Sequence, residues 1–352
     1  MPSKINILYT IPNFVTAGSQ FVLLGILKHL DLNSFQYYVL VEKHPEVFPE
    51  LIPEDNRLYL PREKGMSYVW SLRKLFKKHK IDVVHSWDYR SDAREALAAR
   101  ISGTAYIYTK KNNAWSKRWK LKSILASRIA YNNPDMALRF FTSNLLKRKT
   151  VFIPHGVDLQ IFTPKIATKN KDVFTLGCMG VIGPNKNQLF ILQLLTSLPK
   201  NIVVSFYGKV DETYHQKLLS FVAENQLTNR VSFNDFVTNT KIPEVLASFD
   251  LAVLTSKQEG LPLSVIEALA CGVPVIASDS GGGTKYILEQ GGGYVIPLKD
   301  SKKWLQCITM CYEVSQVKEK LGKEGKHNVA TNFTIEKEVS QYTKLYKQLV
   351  SS

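Results

Sequence analysis

Two glutamates eight positions apart mark the densest chemistry in this 352-residue chain. Glu259 sits in the turn Glu259-Gly260, just after the apolar run Leu251–Leu254, and Glu267 lies inside the helix that Pro262 opens. Proline suits a first helical position because the N–H it lacks would have no partner there. The amides of Leu263, Ser264 and Val265 are then left at the positive end of the helix, an arrangement that binds phosphate. Glu259 and Glu267 can flank one ligand lying along that helix start. Carboxylates beside an anion site suit a ligand with hydroxyls next to phosphates, such as a nucleotide sugar. The plainer alternative is a surface turn followed by an exposed helix glutamate. Gly281-Gly282-Gly283, after the next strand, is placed to face the same ligand.

A loop of this kind has to be held at a strand end, and the chain supplies the strands. Strand-like runs at 5–9, 37–41, 82–85 and 106–108 alternate with helix-like runs at 19–29, 67–78, 92–100 and 116–131. The rhythm restarts after Pro164, with strands at 175–179, 202–206, 231–233, 251–254 and 275–277. Helices at 188–198, 213–225, 243–249 and 264–270 lie between them. Continuous apolar strands separated by helices predict parallel sheets covered on both faces. Two such series predict an α/β protein of two Rossmann-like, doubly wound domains facing a cleft, with ligands at the carboxyl ends of the strands. The segment 153–164, punctuated by two prolines and a glycine, is the expected hinge.

Composition narrows the class. Hydrophobic residues make up 45% and charged residues 22%, the balance of a globular protein rather than a disordered or collagen-like one. No apolar run approaches the roughly 18 residues of a membrane span. Met1-Pro-Ser-Lys4 leads straight into a strand, so no leader peptide is expected. Cys178, Cys271, Cys307 and Cys311 form no Cys-x-x-Cys pair and read as buried thiols of a cytoplasmic protein. Cys307 and Cys311 share one helix face and read as core rather than a metal pair.

Charge is uneven. Residues 1–150 carry 25 Lys and Arg against 12 Asp and Glu, so most of the net +16 lies there. Between 110 and 150 eleven cations face one acid, Asp135, with Trp115, Trp119 and Tyr131 interleaved. Such a field attracts anions, and an anionic membrane surface or a phosphorylated acceptor fits it. A solvated basic face without a specific partner is the alternative. No nucleic-acid motif accompanies it, so no nucleic acid is expected.

The segment Glu259-x7-Glu267 through Gly282, with Ala268-Leu-Ala-Cys-Gly-Val-Pro-Val-Ile-Ala-Ser-Asp279 inside it, resembles the signature of the retaining GT-B glycosyltransferases of family 4. Ile153-Pro-His-Gly-Val-Asp158 resembles the family's hinge, and Met179-Gly-Val-Ile-Gly-Pro-Asn-Lys-Asn187 its phosphate loop. Thr16-Ala-Gly-Ser-Gln20 resembles its N-terminal glycine loop, and Asp82-Val-Val-His85 its strand ending in histidine. Phe333-Thr-Ile-Glu336 with Tyr342 and Tyr346 resembles its terminal helix, which crosses back to the first domain. The resemblance spans nearly the whole chain. It implies an acceptor-binding domain over 1–160, a nucleotide-sugar domain over 161–334 and a crossing helix over 335–352.

By the same resemblance, Glu259 would hold hydroxyls of the donor sugar and Glu267 those of the ribose. Backbone amides of Gly260, Leu261, Leu263 and Ser264 would hold the sugar and diphosphate. Lys186 would neutralise the departing diphosphate, Gly18 would let the backbone approach phosphate, and His85 would line the cleft. There is no Asp-x-Asp, so neither a metal nor any other cofactor is expected, and fixed dipoles with Lys186 would meet the leaving charge. Three positions depart from the family. Val181 stands where the phosphate-loop arginine is usual, with Arg90 or Lys111 as candidate replacement cations; Lys111 stands where a histidine is often found; and only nine residues separate Ser143 from Ile153, so a helix there is expected to be short or missing.

The resulting expectation is a cytoplasmic glycosyltransferase, peripheral to an anionic membrane face. It would transfer a sugar with retention from a nucleotide donor to a glycan or lipid-linked acceptor in polysaccharide biosynthesis. The donor is expected to be a UDP-hexose or UDP-N-acetylhexosamine, with GDP-mannose open. The alternatives are an epimerase or phosphorylase on the same fold, and a non-catalytic protein that binds sugar nucleotides. A dinucleotide oxidoreductase is disfavoured, because no Gly-x-Gly-x-x-Gly follows the first strand.

Overall fold

The computed structural model describes residues 4–14, 18–42, 48–163 and 172–351. Thr16 and Ala17 of the N-terminal glycine loop, and Pro164 at the end of the hinge segment, lie outside them. The chain divides into two compact units, Met1–His155 with Ile335–Ser352, and Gly156–Thr334.

The first unit opens with β1 (Ile5–Ile11), α1 (Gly18–Lys28), β2 (Phe35–Val41), β3 (Arg57–Tyr59), α2 (Ser67–Lys78) and β4 (Val83–Ser86). It continues through α3 (Arg94–Ser102), β5 (Ala105–Lys110), α4 (Lys117–Leu125), β6 (Arg128–Tyr131), α5 (Asp135–Arg139), α6 (Asn144–Lys147) and β7 (Thr150–Phe152). All seven strands are parallel, in the order β3-β2-β1-β4-β5-β6-β7. The order reverses direction between β1 and β4, the position at which doubly wound sheets bind ligands. β4 is buried at every position, and Leu8, Val84, Tyr106 and Tyr108 pack with Tyr68, Leu72 and Phe76 of α2 in one core.

The second unit contains β8 (Phe174–Met179), α7 (Gln188–Leu195), β9 (Ile202–Tyr207), α8 (Glu212–Glu224), β10 (Val231–Asn234), α9 (Ile242–Ala247) and β11 (Leu251–Leu254). Then follow α10 (Leu263–Ala270), β12 (Val275–Ser278), α11 (Gly282–Leu288), β13 (Gly293–Ile296), α12 (Ser301–Glu313) and α13 (Ser315–Asn332). Its six strands are also parallel, in the order β10-β9-β8-β11-β12-β13, and the reversal falls between β8 and β11. Separate apolar clusters, one around Trp304 and Leu192, the other around Ile266 and Leu269, make up its core.

The last helix, α14 (Ile335–Val350), belongs to the first unit. It buries Ile335, Glu338, Val339, Tyr342, Leu345 and Tyr346, the three-and-four spacing of a single helical face. Ile335 reaches within 3.2 Å of where a Cβ on Gly25 of α1 would stand.

One expected element needs correction. The helix expected over 116–131 ends at Leu125, and Arg128–Tyr131 is the strand β6. Ala126 leaves the helical region at φ −64°, ψ 144°, and the Ser127 amide donates to the Tyr106 carbonyl, which sets the segment on β5. Four residues directly after a helix are too few to display a period of two, which hid the change. The gap between Ser143 and Ile153 holds a one-turn helix capped by Ser143 and the three-residue β7, so the sheet is completed with a helix of minimal length. The basic segment is also less uniform than its composition implies: Lys110 and Lys122 are fully buried. All four cysteines are free and buried. Among the described residues no helix is long and apolar enough to cross a membrane.

Candidate functional site

In the second unit, the loops after β8 and β11 meet where the sheet reverses. The first of them is fixed at both ends. Gln188 accepts from the Gly183 amide and donates to the Val181 carbonyl, and Asn187 takes a left-handed conformation at φ 54°. Thr255, just after β11, donates its hydroxyl to the carbonyls of Lys186 and Asn187 at 2.9 and 3.1 Å. Lys257 N donates to Asn185 O, and Asn185 Nδ2 returns a bond to Gln258 O. Two loops distant in sequence are thereby knitted into one surface.

On this surface Lys186 Nζ lies 2.7 Å from Glu259 Oε1, with both side chains partly exposed. The Glu259 amide donates to Ser280 O at the end of β12, so the carboxylate's backbone is held from a third loop. Gly180 has φ 136°, and a Cβ there would meet Lys186 Cε at 3.2 Å, so this glycine leaves the lysine its lane. Gly283 is tighter still. Its missing Cβ would stand 1.8 Å from the Gly260 carbonyl oxygen, so the first turn of α11 packs backbone to backbone on the Glu259-Gly260 turn.

The helix α10 begins at Leu263, with Pro262 ahead of it and no side chain capping its start. Helix starts leave amides without intrahelical partners, and here the Leu263 and Ser264 amides stand in that position. The Val265 amide donates to Pro262 O at 3.1 Å, so it is engaged within the turn rather than open to a ligand. Glu267, one turn further on, is half-buried. Burial raises its carboxyl to a pKa of about 7, against the opposing pull of Lys186. The neighbouring Cys271 thiol is pushed up to about 12 by burial and by Glu267, and behaves as an inert core group. Val181 is 55% exposed, so the position holds no cation and no buried replacement for one.

The first-unit residues fare differently. Gly18 is exposed at the first position of α1. His85, expected to line a cleft, is 0% exposed. Its Nδ1 lies 2.6 Å from the Tyr346 hydroxyl and its Nε2 2.8 Å from Thr109 Oγ1. Tyr342 reaches the same threonine at 3.0 Å, and Tyr9 reaches Tyr346 at 3.2 Å. Burial and nearby Lys111 bring the imidazole down to about 3, so it is neutral at pH 7. A ring with both nitrogens engaged by packed side chains joins α14 to the sheet; it is not a wall residue, and its place at a strand end could not reveal this. Lys111 is half-buried, donates to Trp87 O at 2.9 Å and lies 4.2 Å from the Trp87 ring centre. Burial lowers its pKa to about 7. Arg90, a candidate second cation, is bonded to Asp88 and Glu42.

Sequence reading missed a charged network at the carboxyl ends of β2 and β4. Arg62 contacts Glu42, Asp88 and Asp92, while Arg94 pairs with Asp92 at 2.6 Å. Oxygens of Glu42, Asp88 and Glu95 lie within 4.8 Å of one another. Glu95 accepts from Ser86, Thr10 and Tyr106, so this acidic group is already occupied by guanidiniums and hydroxyls. Its three members come from the loops after β2 and β4 and from α3, which no local motif can disclose. His155 of the hinge forms another long-range pair, Nδ1 to Glu338 Oε1 at 2.8 Å, fully buried on α14.

Comparison with known proteins is consistent from end to end. Residues 16–161 match the model of Glycosyltransferase Family 4, and residues 160–328 match that of Glycosyl transferases group 1. The UDP-Gal:alpha-D-GlcNAc-diphosphoundecaprenol alpha-1,3-galactosyltransferase of Escherichia coli is 26% identical over 324 residues, spanning 82% of this chain and 80% of its own. A glycosyltransferase from Rickettsia africae superposes with a TM-score of 0.85 at 18% identity, covering 99% of both chains. HepE of Anabaena, solved in complex with UDP and glucose, gives 0.82 at 18% identity over 97% of this chain and 99% of its own.

Proposed function

The chain belongs to the GT-B glycosyltransferases of family 4 type, and from that membership we propose a retaining, metal-independent transfer of a sugar from a UDP-hexose or UDP-N-acetylhexosamine to a lipid-linked or glycan acceptor. The observation that carries the donor half is the Lys186–Glu259 contact of 2.7 Å beside the start of α10, at the reversal of the second sheet. Paired at this distance, each charge neutralises the other. A bound donor takes both apart: Glu259 accepts from sugar hydroxyls, and Lys186 turns to the diphosphate. Amides of Gly260, Leu261, Leu263 and Ser264 hold sugar and phosphates, and Glu267 accepts from the ribose. The cation and the helix dipole are fixed where negative charge grows as the diphosphate departs, so little reorganisation is needed in the transition state.

The acceptor oxygen attacks the anomeric carbon from the face the diphosphate leaves. The C–O bond to the acceptor forms as the C–O bond to phosphate breaks, and a leaving-phosphate oxygen takes the acceptor proton. Configuration is thereby kept without a protein nucleophile. Gly18 and Lys111 of the first unit are the proposed contacts to phosphate, Lys111 as a cation whose charge a phosphate would restore. His85 serves this reaction only by position, as the link between α14 and β4. The E. coli relative, named for a UDP-Gal donor and a diphosphoundecaprenol-linked acceptor, supports a uridine donor and a lipid-borne acceptor.

The test is binding of UDP, GDP and ADP sugars with EDTA present, followed by NMR of the product's anomeric proton with a synthetic lipid-linked sugar. Selective UDP-sugar binding and an axial-to-axial outcome are expected. Inverted product, or binding that EDTA abolishes, sinks the corresponding half of the proposal.

A further inference from the structure

A cavity of about 800 Å³ lies wholly within the first unit, between the segment Tyr89–Arg94, α3 and α4, and nothing above assigns it a ligand. Most of its lining is apolar: Leu97 of α3 faces Leu121 and Leu125 of α4, with Trp119 behind them and Tyr89 at the rim. Leu121 and Tyr89 are 51% and 62% exposed, an unusual amount of apolar side chain to leave in water beside a pocket. The polar part of the lining is four guanidiniums, of Arg62, Arg90, Arg94 and Arg118, with Ser91 and a single carboxylate, Asp92. The first three are bonded to Glu42, Asp88 and Asp92. Arg118 is exposed and has no carboxylate partner among the described residues. Beneath the floor, the ammonium groups of Lys110 and Lys122 lie 4.1 and 5.2 Å from the centre of the Trp119 ring, and both side chains are buried. An apolar trough with surplus positive charge at its edge selects an amphiphilic anion.

Spacing along α4 narrows the choice. Arg118, Leu121 and Leu125 follow one another at i, i+3 and i+7, so cation and apolar contact adjoin on one helix face. A ligand matching them carries its charge directly at the end of its hydrocarbon chain. A glycerophospholipid, whose phosphate is separated from its chains by a glycerol ester, fits less well. We propose that this cavity binds the lipid phosphate of the acceptor, with a prenyl chain along Leu97, Leu121 and Leu125 and its phosphate or diphosphate at Arg118. The proposal rests on the acceptor half of the function above and names its chemical class.

The probe is farnesyl diphosphate below its micellar concentration, titrated into the full chain by calorimetry, with inorganic pyrophosphate and farnesol as the two halves of the ligand. Farnesyl diphosphate should bind at least tenfold tighter than either half. Arg118→Glu and Leu121→Asp, both changes at exposed side chains, should each weaken it tenfold or more while UDP binding stays unchanged. Equal binding of pyrophosphate overturns the proposal in favour of a plain anion site. Absence of farnesyl diphosphate binding, with Leu121→Asp releasing the chain from phosphatidylglycerol vesicles, overturns it in favour of a membrane contact. Loss of affinity in neither variant overturns it as well. The unmutated chain separates this result from the donor reading: if it binds farnesyl diphosphate but no nucleotide, this cavity stays assigned and the donor proposal alone is removed.

Discussion

At the scale of single residues, the Lys186–Glu259 pair gives the sharpest expectation. If Lys186 acts on charge that develops as the diphosphate leaves, Lys186→Ala should lower kcat by about 10²–10³-fold, the usual effect of removing one preorganised transition-state partner. The donor KM should rise by much less. Steady-state kinetics on the variant decide it, and a rise in KM with kcat unchanged would reduce the lysine to a ground-state contact. Glu267 makes a second prediction, through pH. Its folded pKa of about 7 lies above the unfolded value near 4.5. A carboxyl raised in this way stabilises the fold fully only below about pH 4.5 and loses that contribution as pH climbs through 7. Glu267→Gln, which cannot ionise, should therefore gain in Tm relative to the parent between pH 5 and pH 8. Thermal melts across that range test it, and a gap independent of pH would mean that the carboxyl is not desolvated. Glu259 and Lys186 were legible in the sequence because each stands in a loop following a strand, with a glycine or proline marking the turn, and Glu267 because it lies in the helix that Pro262 opens. The His85 network was not. Its partners Tyr346 and Thr109 lie 261 and 24 positions away, and only the packing of α14 on the sheet brings them together.

At the scale of elements, the loops of the second unit depend on glycines that touch backbone. Gly283→Ala would place a methyl 1.8 Å from the Gly260 oxygen, a contact that only movement of one loop can relieve. Overpacking of this kind costs about 1–3 kcal/mol. The turn carrying Glu259 would shift with it, so both a lower Tm and weaker nucleotide binding are expected; melts and titrations on the same sample check the pair. In the first unit, Tyr346→Phe removes the hydroxyl that satisfies His85 Nδ1 in the interior. An unpaired buried polar group costs about 1–3 kcal/mol, and chemical denaturation would register it. Most elements could be read from apolar runs of four to seven residues, since parallel strands buried on both faces have no alternation to misread. β6 escaped because its four residues follow a helix with only Ala126 and Ser127 between, and tertiary pairing with β5 decides its conformation.

At the scale of the whole molecule, the first unit is discontinuous: it needs Ile335–Ser352 as well as Met1–His155. A chain ending at Thr334 should lose the cooperative unfolding of the first unit and keep that of Gly156–Thr334. Calorimetry would show one transition missing, and retention of both would mean that α14 is dispensable. The same discontinuity has a consequence for biosynthesis. Val157 and Thr334 bridge one another, so the chain leaves and re-enters the second unit at a single point. On the ribosome, that unit emerges with all its parts in order and can fold as soon as it clears the exit tunnel. The first unit is made earlier but must wait, with His85, Thr109 and Tyr9 lacking their partners, until Ile335–Ser352 is translated. At roughly 5–20 residues per second, nearly two hundred codons impose a delay of about 10–40 s. During that interval the apolar groove meant for α14 is exposed in the nascent chain, and a chaperone that shields apolar surface would find its substrate there.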